Sequence, residues 1–355
     1  MQQTPLFDEH HRLGAKVIDF HGWALPVQYA GIIQEHLHTR SDASVFDCSH
    51  MGEFTIHGSD AIAAYDNLVM SNVGGIKVGR ARYGALLTND GYIVDDIITF
   101  RLADDELYVV TNAGPLDEVS ATFTGLHPGI KDVSSQTAKI DVQGPRSRDV
   151  LGQIGMADAA RLKYFGLCKS TWRDTDIVLS RTGYTGELGY EIFVPNALAV
   201  PLFRAVLEVD GVEPAGLGAR DTLRTEVGYG LSGQDFDSSR TPLEAAMEPF
   251  IAWDSSFRGR DALLAKRDAG GYPVLTAIRT GSRRAPRHGF EVKQDGNVVG
   301  EVTSGTFGPS VGYGIGLAYL PQELTQPGTA LTAGPRDLGI ETVELPFYKD
   351  GTCRN

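Results

Sequence analysis

One run of ten residues, Tyr92-Ile93-Val94-Asp95-Asp96-Ile97-Ile98-Thr99-Phe100-Arg101, limits what this chain can fold into more than any other. Its β-branched and aromatic residues read as a strand covered on both faces, yet two adjacent carboxylates interrupt it. An ionised carboxylate buried alone is costly, so such a group is paired, protonated or placed at a working site. Neighbouring strand residues point to opposite faces, so only one of Asp95 and Asp96 can face any one cavity. The segment from Glu106 to Asn112 reads as a second strand, joined through the turn-like Ala103-Asp104-Asp105. With a three-residue loop, Leu102 opposes Glu106 and Asp96 opposes Asn112, about 4.5–5.5 Å apart. A one-residue slip separates them. The competing reading ties the carboxylates to a turn or an edge backbone, with no part in chemistry.

Around that hairpin the chain is 355 residues long, more than one core comfortably holds, so two or three packed units are expected. Apolar alternating stretches outnumber long helical patterns and glycine is abundant, which together predict an α+β chain rich in turns. The formal charge of −13 argues against nucleic acid, whose phosphates need a basic surface. Cys48, Cys168 and Cys353 are odd in number and far apart, giving neither a disulfide framework nor a zinc pattern. No signal peptide is visible at the start and no apolar run approaches membrane-spanning length, so a cytoplasmic, membrane-free protein is expected.

Phe20 to Pro26 reads as a loop and Ile32 to Arg40 as a helix. Strands are expected at 53–57, 83–88, 92–101, 106–112, 137–142, 176–181 and 189–194. Helices are expected at 59–70, 145–154, 197–208, 219–229 and 242–248. Gly270-Gly271-Tyr272-Pro273 reads as a linker. Beyond it, 274–279, 289–293, 298–303, 313–319 and 342–347 alternate like an all-β unit.

Four further stretches carry candidate chemistry. Arg279 to His288 holds four arginines in ten residues of an acidic protein, suiting an anionic ligand, an acidic partner or a solvated loop. Gly216-Leu217-Gly218-Ala219-Arg220 opens a helix, where unpaired N–H groups favour anions and Arg220 can grip a carboxylate or an amide-bearing ring. A structural ion pair is the plain alternative. In Arg181 to Glu191, a tight loop can hold Tyr184 over a flat ligand while Glu191 accepts from amino or imino groups; a simple hairpin competes. Met51, in Ser49-His50-Met51-Gly52, suits either core or an adaptable flat-ligand pocket, and His50 reads as a hydrogen-bonded structural histidine. His10-His11 and His36-Leu37-His38 lack further ligands at convincing spacing, so no metal site is expected.

These motifs, in this order, resemble the glycine cleavage system aminomethyltransferase (T-protein) family and its wider tetrahydrofolate-binding relatives. The similarity runs through Thr4-Pro5-Leu6, Gly22-Trp23, Asp47-Cys48-Ser49-His50-Met51-Gly52 and Gly91-Tyr92-Ile93-Val94-Asp95-Asp96. It continues through Thr111-Asn112-Ala113, Val142-Gln143-Gly144-Pro145, Tyr184 to Glu191 and Gly216 to Asp221. It closes with Thr241-Pro242-Leu243-Glu244-Ala245, Pro286-Arg287-His288-Gly289, Val302-Thr303-Ser304-Gly305 and Leu345-Pro346-Phe347-Tyr348.

The resemblance implies a three-domain cloverleaf around a central folate hole, with a C-terminal β-barrel-like domain. The domains would be 1–46 with 137–225, 47–136 with 226–272, and 273–355. The implied reaction takes an aminomethyl group from the lipoylated H-protein, releases ammonia and forms 5,10-methylene-tetrahydrofolate. Asp96 matches the family's catalytic carboxylate. Met51, Tyr83, Val110, Asn112, Tyr184, Glu191 and Arg220 match the folate site, and Arg287, more loosely, its mouth. The chain departs from the family around Pro249, which stands with Phe250 where a Gly-Trp is usual, and at Tyr92, where Gly is usual. The departure at Pro249 keeps a tetrahydrofolate-dependent demethylase of a small methylated compound in play as an alternative. A non-catalytic folate-binding module would carry a Cys in the 181–191 loop, which this chain lacks.

Overall fold

The structure, a computed structural model, describes residues 1–355. Three large sheet systems organise it, beside a small three-stranded sheet of Gln2–Gln3, Trp23–Gln28 and Lys16–Phe20. A five-stranded antiparallel sheet runs in the spatial order Arg80–Leu87, Ile93–Ala103, Glu106–Thr111, Gly52–His57, Ile130–Asp132. A six-stranded sheet runs Leu167–Trp172, Thr175–Ser180, Gly189–Pro195, Thr137–Gln143, Ala43–Asp47, Val212–Pro214. The third is a closed barrel of Val274–Thr280, Gly314–Leu320, Asn297–Phe307, Glu291–Gln294, Ala330–Ala333 and Leu338–Thr342. Closure leaves the barrel without the unpaired edge that an open sheet of this size exposes.

Each open sheet covers one face with helices and turns the other toward its neighbour. Ala61, Ile62 and Tyr65 of Ser59–Asp66, with Val119 and Phe123 of Leu116–Leu126, pack on Phe54, Ile56, Ile97, Leu107 and Val109. Val150 and Leu151 of Ser147–Gln153, with Leu202, Phe203 and Val206 of Ala199–Leu207, pack on Ile140, Val142, Ile177 and Ile192. The opposite faces meet through Phe100, Tyr108, Val110, Leu167 and Phe193. Period-two alternation along the strands decides which residues look into this shared space.

Several expectations are corrected. Phe20 to Pro26 is not a loop: Lys16–Phe20 and Trp23–Gln28 form a hairpin about His21 and Gly22, both with φ above zero. Pro26 is tolerated there despite lacking a donor N–H. The helix expected over 59–70 ends at Asp66, and 242–248 is a series of turns. Thr241 Oγ1 and its backbone N–H both donate to Glu244 Oε2 (2.8 and 2.9 Å), which closes the first of those turns locally. The strand expected over 342–347 ends at Thr342, although Val343 N–H still donates to Ala277 O (3.0 Å) and Phe347 packs on Ala277, Ile315 and Leu317 of the barrel. Beyond it, Tyr348 N–H donates to Glu226 O (2.9 Å) on the helix Leu217–Val227, and Thr352 Oγ1 to Glu187 Oε2 (2.5 Å). Leu167–Trp172 and Ala330–Ala333 are strands the pattern did not single out. No helix is long and apolar enough to cross a membrane.

Candidate functional site

The Ile93–Ala103 hairpin sets the first half of the site. Its loop is two residues, Asp104 and Asp105, not three, because Ala103 pairs with Glu106. A bulge at Leu102 absorbs the difference, and Arg101 pairs with Leu107. Continued along the strand, that register carries Asp96 opposite Asn112 as a three-residue loop would have done. A second bulge, between the Leu86–Asp95 and Leu87–Ile93 pairs, lies just ahead of the carboxylates.

Asp95 and Asp96 take opposite faces. Asp95 is fully buried and accepts from Asn112 N (2.8 Å), Asn112 Nδ2 (2.8 Å) and Ser232 Oγ (3.1 Å). The backbone-tied reading therefore describes Asp95 in part. Asp96 accepts from Tyr83 Oη (3.0 Å) and Asn112 Nδ2 (2.6 Å). It lies deep in the protein yet keeps partial exposure, as do Tyr83, Met51 and Asn112, so these side chains line an accessible recess. Burial raises both carboxyl pKa values above the ordinary range, and the Asp96 charge raises Asp95 further. Phe250, 46% exposed, sets its ring edge-on to Tyr83 at 4.9 Å. The departure from the family pattern thus stands beside the carboxylate. Tyr92 is exposed, with Lys266 over its ring at 5.7 Å, away from this recess.

The six-stranded sheet supplies the second half. Glu191 accepts from Lys139 Nζ (2.7 Å) and Thr182 Oγ1 (2.5 Å). Arg220 donates to Asp141 Oδ2 (3.1 Å), its only hydrogen-bonded protein partner, and lies over the Tyr184 ring at 5.0 Å. Its remaining N–H groups are free toward the recess, the side chain being 14% exposed. Both the ion-pair and the ligand readings of Arg220 therefore apply. The glycines before it are a packing requirement: a Cβ on Gly216 would meet Val27 C and O at 2.6 Å. Tyr184 donates to Gly230 O (2.6 Å) and stacks on Tyr229 at 5.8 Å. Met51 joins the halves, touching both the Ala219 and Leu223 side and the Val110 and Phe193 side.

Met51, Tyr83, Asp96, Val110, Asn112, Tyr184, Glu191 and Arg220 therefore converge. Arg287 does not join them: it is exposed on a barrel loop, and no hydrogen bond or ion pair holds its guanidinium. His50 is not the hydrogen-bonded histidine expected. Its Nδ1 is buried without a partner, its ring packs edge-on to Phe20 (5.7 Å), and burial lowers its pKa to about 4. Sequence reasoning missed Lys139, Asp141, Ser232 and Glu53. Lys139-Ile140-Asp141 carried the same signal as the Asp pair, charge set inside an apolar strand. Glu53 is fully buried with both carboxyl oxygens unpartnered, and burial raises its pKa well above normal. A separate cavity of about 550 Å³, bounded by Arg12, Leu13, Arg204, Leu207 and Glu208, contains none of the convergent residues.

Residues 6–255 match the GCVT N-terminal domain, and 274–349 match the glycine cleavage T-protein C-terminal barrel domain. The chain is similar to an aminomethyltransferase of Halothermothrix orenii, at 37% identity over 98% of this chain and 100% of the relative. It is 38% identical to one of Saccharopolyspora erythraea over 98% of each. The crystal structure of glycine cleavage system aminomethyltransferase T from Bartonella henselae superposes with a TM-score of 0.94 at 30% identity, covering 99% of both chains.

Proposed function

The chain belongs to the glycine cleavage T-protein family, and on that premise we propose that it is a tetrahydrofolate-dependent aminomethyltransferase. The donor is the aminomethyl-dihydrolipoyl arm of the H-protein, bound transiently alongside the system's other components. The products are ammonia and 5,10-methylene-tetrahydrofolate. The observation that carries this reading is Asp96: a deep, accessible carboxylate held by Tyr83 and Asn112 at the edge of a recess. The recess suits a reduced pterin, which presents both donors and acceptors on one flat ring. Asp96 and Glu191 supply acceptors, Arg220 supplies free N–H groups, and Met51, Val110 and Tyr184 supply the walls.

In the reaction the aminomethyl carbon leaves sulfur as an iminium-like centre, and a folate nitrogen attacks it. The sulfur, released in that first step, takes up the proton that the attacking nitrogen gives up and leaves as thiol; ammonia is then expelled with the second nitrogen's proton as that nitrogen closes the methylene bridge. The Asp96 carboxylate orients the folate nitrogens and stabilises the developing positive charge. Arg287 lies at the mouth in this reading, and the domains are 1–46 with 137–225, 47–136 with 226–272, and 273–355.

The deciding experiment measures ammonia released from aminomethyl-loaded H-protein, with and without tetrahydrofolate. Folate-stimulated release is expected. Release from no carrier, with demethylation of small methylated compounds instead, would reject the assignment.

A further inference from the structure

Lys139 and Asp141 sit two residues apart on the Thr137–Gln143 strand, on the face away from its helix-covered core. Their side chains are 1% and 0% exposed. Register places Asp141 directly opposite Glu191 on the neighbouring strand. Two like charges so opposed repel. The Lys139 ammonium lies between them, 2.6 Å from Asp141 Oδ1 and 2.7 Å from Glu191 Oε1. The second oxygen of Asp141 takes Arg220 Nη1 at 3.1 Å and Cys48 Sγ at 3.4 Å. The result is an unbroken chain, Arg220 to Asp141 to Lys139 to Glu191, with two charges of each sign.

Such a chain is a poor way to gain stability, because desolvating four charges offsets most of their attraction, and apolar side chains would fill the same face. What it does supply is geometry. Its two ends, Arg220 at 14% and Glu191 at 6% side-chain exposure, are assigned above to the folate ring, and its two middle members are closed off from solvent.

We propose that Lys139 and Asp141 are positioning residues that hold Glu191 and Arg220 in fixed relation, so that an acceptor carboxylate and free guanidinium N–H groups meet one flat heterocycle. This inference rests on the placement of Glu191 and Arg220 at that ring. Other groups face Lys139 as well: Cys48 and His50 from the loop after Ala43–Asp47, Glu53 from Gly52–His57, and Arg220 from Leu217–Val227. The Phe193 ring lies 5.9 Å from its ammonium.

The test is tetrahydrofolate binding by anaerobic calorimetry on the full chain, with turnover measured alongside. Lys139→Met is expected to weaken binding about tenfold, the scale of one lost charge-assisted hydrogen bond, with kcat at saturating folate falling much less. Without the ammonium the opposed carboxylates share a proton, so the variant's binding should tighten with rising pH by more than that of the parent, since Asp96 titrates in both. Asp141→Asn leaves Lys139 on Glu191 but loosens Arg220, and should weaken binding about threefold to tenfold without added pH dependence. Binding within about twofold of the parent in the variants that fold overturns the proposal. So does a Lys139→Met defect identical at every pH. Should Lys139→Met fail to fold, Asp141→Asn decides. Glu191→Gln separates the two levels. If it too leaves binding unchanged, the folate placement itself fails. If it alone weakens binding, only the positioning role fails.

Discussion

The side-chain nitrogen of Asn112 donates to two adjacent carboxylates that face opposite sides of their strand, at 2.8 Å to Asp95 and 2.6 Å to Asp96. One amide at the end of Glu106–Thr111 thereby couples an acid in the core to an acid in the recess. Asn112→Ala leaves Asp95 with a backbone N–H and Ser232, and Asp96 with Tyr83 alone. A stability loss of about 2–4 kcal/mol is expected, because two buried acceptors each lose a donor. Urea unfolding measures it; a midpoint equal to that of the parent would remove the coupling.

Asp96→Asn is expected to preserve shape and much of the folate affinity but to remove the charge that, in the proposed reaction, steadies the iminium-like carbon. Turnover should fall by roughly 10²–10⁴-fold. Tyr83→Phe keeps the carboxylate and deletes one donor to it, and should cost about tenfold in kcat. Single-turnover assays with bound folate distinguish chemistry from binding. Full activity in Asp96→Asn would remove that residue from the mechanism.

Glu53 offers a pH-dependent test. Its folded pKa lies above the unfolded value, so its contribution to stability is fully present below the unfolded pKa. That contribution is lost as pH rises toward the folded value. Glu53→Met removes two unpartnered buried oxygens and should raise the melting temperature by about 2–6 °C near neutral pH. The gain should shrink as pH falls toward that of an ordinary glutamate. Calorimetry at the two ends of the range checks the sign; a gain that grows on acidification would refute the account.

The carrier surface is expected to be basic. Arg283 and Arg287, with Lys77 and Arg80 near the strand Arg80–Leu87, leave their charges without carboxylate partners, whereas Arg279 pairs with Glu341 at 2.5 Å. Raising ionic strength should therefore weaken H-protein binding more than folate binding, since exposed charge pairs are screened first. Equal salt sensitivity in the two titrations would count against this surface.

Local pattern was enough for much of this molecule. Alternation placed four strands of the five-stranded sheet and three of the six-stranded one, and two aspartates inside one such strand marked the candidate site before any geometry was known. Where the pattern misled, a single long-range or backbone effect was responsible. The Leu102 bulge restored a register that a shorter loop would have broken. Asp141 was invisible as Arg220's partner because 79 residues separate them. Strand periodicity is a property of consecutive residues, so the chain alone determined most of the strands around the candidate site and the faces they bury. Which charges neutralise one another inside depends on how two sheets and a helix are brought together, and only the tertiary structure decided that.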